Sequence, residues 1–534
     1  MTSDRGPLSL INRSARHIGQ LQSWQRYLTA FGFGALTATA LAPLYILPAL
    51  FVGMSCLIWL MDSTRSGRRP HWAAFVTGTA FGFGYFLFSL RWLANAFLVQ
   101  ADAFGWMIPI AIPLLTAFLG LFFGLALLAA SPLWRFNLSR VFLLPLTISL
   151  FEYARGHILT GFPWNLIGQS FAGTALTAQL AAWIGPYGLS LVVLIIASLP
   201  AVAFSRAHVN LKPLAGAVGG VIALLGFGAI RLATAANELT DVDVVIVQPN
   251  VPQIDKFDPD KRDAIFQRTV RLTQDAASLE RTTYAVWPEN AEPYLAQAID
   301  ASRYFGSALP TGTTLIAGTF RYYRDETETI RYGNSAVVFG ETVEGEKPLL
   351  AIYDKHHLVP FGEYLPLKGL LTALGLSQLA PVDDGFTPGI GPRTLSIGPH
   401  PFAPLICYED VFPRQLYPSD QRPEWLVVMT NDAWFGDNAG PRQHLDISRL
   451  RAIESGLPMA RSANTGISAL IDPYGRIVES LPLYEAGAIT KTLPRSISRT
   501  PYDRLGSIPY IGLLALVVLL CWFTGLRRSE NRIY

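Results

Sequence analysis

The sequence predicts a two-part protein, a multi-span α-helical membrane part with about eight transmembrane helices joined to a layered α/β domain. Three observations predict it. Charged residues make up only 15% of the 534 and hydrophobic residues 51%, whereas ordinary soluble domains are about a quarter charged. The apolar residues concentrate before about residue 235 and again at 507–526. The stretch between them has soluble composition, with short β-branched runs set apart by turn residues. The net charge of +3 is too small to argue for nucleic acid, and no basic patch interleaved with aromatics revives that class.

A spanning helix needs about 20 apolar residues, which gives spans near 27–42, 44–61, 72–98, 103–130, 138–154, 178–204, 213–234 and 507–526. The first two are short and split by Pro43, and the fifth is crowded by Glu152 and Arg155. Cations sort by side. Arg5, Arg13, Arg16 and Arg26 precede the first span; Arg65, Arg68 and Arg69 follow the second; Arg135 and Arg140 the fourth; Arg206 and Lys212 the sixth; Arg527, Arg528 and Arg532 the eighth. The opposite loops carry only Arg155 as a clear cation. By the positive-inside rule both termini are then cytoplasmic and the soluble segment lies outside. The expected domains are 1–235 (membrane), 236–503 (extracytoplasmic) and 504–534 (last span and tail).

From about residue 241 the runs VDVVIVQ (242–248), YAVW (284–287), TTLIAGT (313–319), SAVVFG (335–340), LLAIYD (349–354), APLICY (403–408), WLVVMT (425–430) and ISALID (467–472) read as buried strands. A helix is expected over 259–279, with Pro259 suited to its first turn and Phe266, Val270 and Ala277 on one face. A second is expected over 441–455. Strands too apolar to have a wet face, alternating with helices, indicate a layered α/β domain.

The chemistry gathers just past three of these strands. Glu289 follows YAVW, Lys355 opens KHHLVPFGEY after LLAIYD, and Cys407 follows APLI. Strand ends are where α/β sheets converge side chains on a crevice. Each residue alone has an ordinary reading, as a solvated turn glutamate, a surface lysine or a small buried thiol. Cys407 differs from Cys56 and Cys521, which lie in apolar runs, and it has no disulfide partner in view. His356 and His357 do not suggest a metal, since adjacent residues on an extended chain point to opposite faces and no ligand-spaced set accompanies them. No cofactor is expected.

Taken in order, W-P-E, K-H-H-L-V-P-F-G-E-Y and C-Y-E resemble the Glu-Lys-Cys motifs of the nitrilase superfamily. The long lysine motif and the flanking spans, with GFPWN (161–165), QPN (248–250), YGNSA (332–336) and NDAWFG (431–436), are more similar to its membrane-embedded branch, the bacterial apolipoprotein N-acyltransferases. The resemblance implies a nitrilase-like αββα sandwich, and it implies Cys407 as nucleophile, Glu289 as general base and Lys355 as oxyanion stabiliser. It also implies supporting roles for Tyr408 and Glu409 around the thiol, for Glu363 in orienting Lys355 or Glu289, and for Asn334. Glu409 has an equal alternative, turning away into a structural hydrogen bond, because a carboxylate beside a thiol would raise its pKa. Asp410 is expected to be structural.

What the resemblance implies for partners is a phospholipid acyl donor, commonly phosphatidylethanolamine, and a diacylated apolipoprotein acceptor, handled by a monomer in the bacterial inner membrane with its catalytic domain on the periplasmic side. Trp164, in the apolar outer loop, is expected at about headgroup depth, touching acyl chains or anchoring at the interface. The segment 364–395 reads as a lid or as a fixed interfacial helix. Two other classes fit parts of the sequence. A membrane-anchored amidase would share the triad without needing so many spans, and a non-catalytic scaffold would not need the triad.

Overall fold

The computed structural model describes residues 7–204, 209–236, 238–256, 258–277, 281, 283–291, 309–340, 348–366, 369 and 385–526. The chain divides into two compact units, one of residues 1–234, 438–446 and 501–534 and one of residues 235–437 and 447–500. Most of the expected lid segment and the arginines beyond the last span lie outside the described residues.

In the first unit each of the eight apolar segments contains a helix: Ser23–Ala38, Leu47–Ser63, Pro70–Ser89, Ile108–Ala130, Arg140–Arg155, Ala181–Ser198, Leu211–Ala233 and Ile508–Leu526. Among the described residues six helical segments are long and apolar enough to cross a membrane. The two left out, Ser23–Ala38 and Arg140–Arg155, have 16 residues each. At 1.5 Å per residue they reach only about 24 Å of the roughly 30 Å hydrocarbon core. The span expected over 72–98 stops at Ser89, where the backbone tightens into a 3-10 turn at Arg91–Leu93 and the Arg91 guanidinium lies over the Phe88 ring.

The sequence repeats FGFG at 31–34 and 81–84, and both copies serve packing. A Cβ on Gly34 would sit 1.9 Å from the Phe81 carbonyl oxygen, and one on Gly84 2.0 Å from that of Phe31. Helices Ser23–Ala38 and Pro70–Ser89 therefore cross backbone to backbone, an approach only glycine permits.

Arg155, the exception to the charge pattern, is buried in this unit. Its guanidinium donates to the carbonyls of Phe162 at 2.6 Å and Trp164 at 2.7 Å, so it organises the loop after its own helix instead of meeting headgroups. Trp164 departs from its expected exposure. It is 2% exposed, packed at a tilt against Trp92 with ring centroids 5.1 Å apart, and its Nε1 donates to Gln443 Oε1 at 2.9 Å. A buried indole N–H needs an acceptor, and here it finds one inside the protein.

The second unit holds two sheets. Strands β1 (Leu239–Gln248), β2 (Thr283–Val286), β3 (Thr313–Arg324), β4 (Ile330–Phe339), β5 (Leu349–Asp354) and β11 (Gly487–Pro494) form one, in the order β11-β1-β2-β3-β4-β5. Strands β6 (Phe402–Ile406), β7 (Trp425–Thr430), β8 (Met459–Ala463), β9 (Ser468–Ile471) and β10 (Ile477–Leu481) form the other, ordered β10-β9-β8-β7-β6. All eight expected strands are present. The three unforeseen ones carry weaker signals, since β8 holds Arg461 and β10 and β11 are edge strands with polar positions.

Val244 and Ile246 of β1, Val338 of β4, Tyr353 of β5, Ile406 of β6 and Val427 and Met429 of β7 fill one core between the two sheets. Helix Arg262–Ala276, preceded by the turn Pro259–Lys261, packs Phe266 and Val270 onto the outer face of the first sheet with Val245, Val247 and Trp287. The second expected helix is Ala439–Ser455, whose residues 447–455 belong to this unit and bury Ile447, Leu450 and Ile453. The result is a nitrilase-like αββα sandwich. β1, β2 and β3 run parallel, and β5 shares their direction through antiparallel β4. β6, β7 and β8 are likewise parallel. The carboxyl ends of β2, β5 and β6 therefore carry Glu289, Lys355 and Cys407.

Candidate active site

Cys407 leaves β6 at a sharp corner. Its φ is +49°, in the left-handed region, and a 3-10 turn over Cys407–Val411 follows at once. A residue with a Cβ is held there at a cost of about 1–2 kcal/mol, and such strain gathers at functional sites. The thiol is partly exposed and backs onto the core between the sheets.

Glu289 and Lys355 are both buried, the lysine at 1% exposure. Lys355 Nζ donates to Glu363 Oε1 at 2.9 Å and lies 3.7 Å from Glu289 Oε1. Asn334 links the two carboxylates, its Nδ2 lying 2.7 Å from Glu289 Oε1 and 2.8 Å from Glu363 Oε1. Glu363 also accepts from the Val359 backbone N–H at 2.7 Å, which folds the loop after β5 back on its own lysine. Burial alone would lower the Lys355 ammonium, but Glu363, Glu289 and the Cys407 sulfur outweigh it and push its pKa up. It stays a cation. Burial, and after it the Glu289 carboxylate, push the Cys407 thiol up, with Lys355 and the Thr430 hydroxyl offsetting only part. A thiol so placed is protonated at neutral pH and needs a base to become a nucleophile.

Of the remaining expected residues, Glu409 takes the structural alternative. Its carboxylate accepts from the backbone N–H of Ile406 at 2.7 Å and of His356 at 2.7 Å and from the Tyr353 hydroxyl at 2.9 Å. It thus ties the end of β6 to the end of β5, aligning the segments that carry Cys407 and Lys355. Burial alone would raise this carboxyl, yet the His356 ring and the backbone donors hold it below the usual range. Tyr408 packs against Phe412 and His357, with centroids 4.9 and 5.8 Å away. Trp164 belongs to the first unit.

Two features went unread in the sequence. The first is a buried ionic knot in which Arg461 of β8 donates to Asp432 at 2.7 Å and to Ser448 at 3.1 Å and lies 3.6 Å from Asp410, with all three charged groups within 2% of full burial. Removing one partner of such a pair leaves an uncompensated charge. Arg461→Met is therefore expected to destabilise this unit by about 3–5 kcal/mol, read as a lowered midpoint of thermal unfolding. An unchanged midpoint would contradict the knot's structural role.

The second is Lys256, whose Nζ donates to the Glu289 backbone carbonyl at 3.1 Å. Its loop is pinned by amides from NDAWFG and from the end of β8: Asn464 Nδ2 donates to Val251 O at 2.7 Å, Asn464 Oδ1 accepts from Val251 N at 3.0 Å, and Asn431 Nδ2 donates to Gln253 Oε1 at 2.7 Å. QPN and NDAWFG were visible as motifs, but nothing in their spacing said that they meet.

Residues 33–199 match the family model described as apolipoprotein N-acyltransferase N-terminal domain, and residues 244–502 match that of carbon-nitrogen hydrolase. The apolipoprotein N-acyltransferase of Rhodopseudomonas palustris is 38% identical over 523 residues, 96% of this chain and 97% of that protein. That of Bradyrhizobium diazoefficiens is 40% identical over 511 residues, 93% of this chain and 94% of that one. A solved amidase from Nesterenkonia sp. is 18% identical over 52% of this chain and 97% of its own, with a TM-score of 0.35.

Proposed function

The chain belongs to the apolipoprotein N-acyltransferase family, and on that premise we propose how its own residues carry out the acyl transfer. It is a membrane-integral enzyme of lipoprotein maturation that acylates the α-amino group of the S-diacylglyceryl-cysteine of apolipoproteins. The amidase alternative gives way because the relatives match over nearly the whole chain, spans included.

In the first half-reaction Glu289 takes the proton of the Cys407 thiol as the sulfur attacks an ester carbonyl of the phospholipid donor, phosphatidylethanolamine by preference. The carbonyl oxygen becomes an oxyanion beside the Lys355 ammonium, a contact whose loss typically costs about a hundredfold or more in rate. Collapse breaks the ester C–O bond, Glu289 returns the proton to the departing lysophospholipid, and the acyl group stays on sulfur as a thioester. In the second half-reaction the acceptor α-amine attacks that thioester and Glu289 takes a proton from the amine. The amide forms as the C–S bond breaks, and the proton goes back to Cys407. Glu363 and Asn334 hold Lys355 and Glu289 in register.

The observation that carries this reading is the ammonium of Lys355 held 3.7 Å from Glu289, with the Cys407 thiol in the field of both groups. It is tested by incubating purified protein with phospholipid and seeking, by mass spectrometry, one acyl chain on the Cys407 peptide. An adduct elsewhere, or none, would reject it.

The enzyme acts as a monomer in the inner membrane with its sandwich on the periplasmic side, a placement supported by the side-sorted arginines and by the burial of Arg155, the one discordant cation. Reporters active only outside the cytoplasm are expected to be active when fused after residue 240 and silent when fused at the C-terminus. The reverse pattern would overturn this orientation.

A further inference from the structure

Lys256 is a half-buried cation that the triad does not use. Its ammonium has three donors, and among the described residues it makes one hydrogen bond, to the Glu289 carbonyl oxygen, and no ion pair. Lys355 presents the opposite case, closed off by Glu363 and Glu289. A cation partly withdrawn from water and left without an anion is held at a cost. Here burial brings Lys256 down to about 7, with Glu289 and the Cys407 sulfur pulling the other way, so an incoming negative charge would be stabilised there.

The amides of Asn464 and Asn431 hold this loop at Val251 and Gln253, and the hydrogen bond to the Glu289 carbonyl places the Lys256 ammonium on the main chain of the general base. The two substrates differ in one respect that a cation can read. The acyl donor carries an anionic phosphodiester a few bonds from the ester to be cleaved, whereas the diacylglyceryl-cysteine acceptor carries none.

We infer that Lys256 is the specificity-determining cation for the acyl donor, its two remaining N–H donors binding the donor's phosphodiester while Cys407 is acylated. The inference rests on the acyl-transfer reading above.

The test compares two palmitoyl donors in mixed micelles, dipalmitoyl phosphatidylethanolamine and the phosphate-free ester para-nitrophenyl palmitate. Acylation of Cys407 in the full-length protein is followed for the natural chain, Lys256→Met and Lys256→Arg. A charge-assisted hydrogen bond to phosphate supports a preference of about 10- to 100-fold. Lys256→Met is expected to lower acylation by phospholipid relative to the nitrophenyl ester by that factor, while Lys256→Arg, which keeps the cation and cannot exchange its proton, retains most of the ratio. Equal falls for both esters in Lys256→Met would overturn the inference and leave Lys256 as a clamp on Glu289. So would a Lys256→Arg protein as impaired toward phospholipid as Lys256→Met. Failure of the natural chain to form the Cys407 adduct from phospholipid would count against the acyl-transfer reading itself.

Discussion

Cys407→Ala is expected to abolish acyl-enzyme formation and transfer, a fall of at least about a thousandfold, with no loss of folding. Cys56→Ala and Cys521→Ala are expected to leave both reactions in place. The three thiols differ in setting. Cys56 lies 3% exposed in helix Leu47–Ser63, and Cys521 lies in helix Ile508–Leu526. Cys407 alone sits at the carboxyl end of a strand within the field of a carboxylate and an ammonium. Alanine keeps the Cβ, so it keeps the backbone strain of the +49° φ unchanged and isolates the loss of sulfur. Thermal unfolding of the purified variant checks the fold. Intact protein measured with diacylglyceryl-cysteine peptide and phospholipid checks the chemistry. Full transfer by Cys407→Ala would remove the thioester from the mechanism and would leave Glu289 without the proton it is proposed to take.

The strands that carry the triad are legible because a buried strand announces itself by an apolar run, and YAVW, LLAIYD and APLI are each followed within two residues by a side chain of another chemical kind, Glu289, Lys355 and Cys407. Helix Arg262–Ala276 was legible through its apolar face and its preceding proline. What local pattern could not reveal is pairing across the chain. Arg461 sits in MARSA, where a charged residue argues against a buried strand, and only the fold supplies Asp432 and Asp410 to neutralise it. Glu409 stayed ambiguous because its partners, Tyr353 and the His356 backbone, come from a different strand. Trp164 was misjudged for a related reason. An aromatic in an apolar loop reads as an interfacial anchor, and its acceptor Gln443 lies 279 positions away. Lys256 was passed over because a lysine in a polar loop is ordinarily solvated, and nothing nearby in the sequence indicates that its amine reaches the main chain of Glu289.

Phospholipid alone is expected to yield a single burst of lysophospholipid, close to one per enzyme, followed by a long-lived acyl-enzyme. A diacylglyceryl-cysteine peptide with a free α-amine should then discharge it to an amide, and the same peptide acetylated on that amine should not. The reasoning turns on what separates a transferase from a hydrolase with the same three side chains. A thioester beside a general base and an oxyanion site hydrolyses whenever water attains an attacking position, so productive transfer needs a site that withholds water until the amine arrives. Three features point that way. Lys355 is 1% exposed and Glu289 7%. The carboxylate oxygen nearest Lys355 is already held by Asn334, which leaves fewer positions from which Glu289 can activate a water. Cys407 backs onto the apolar core between the sheets, next to Ile406 and Met429. Acetylation turns the amine into an amide, whose nitrogen lone pair is delocalised into the new carbonyl and cannot attack carbon, while preserving the lipid chains that bring the acceptor to the membrane. Loss of transfer on acetylation therefore reports the second half-reaction and not membrane partitioning. Steady release of fatty acid from phospholipid alone, as fast as transfer to the free amine, would mean that water reaches the thioester freely and that the site works as a hydrolase.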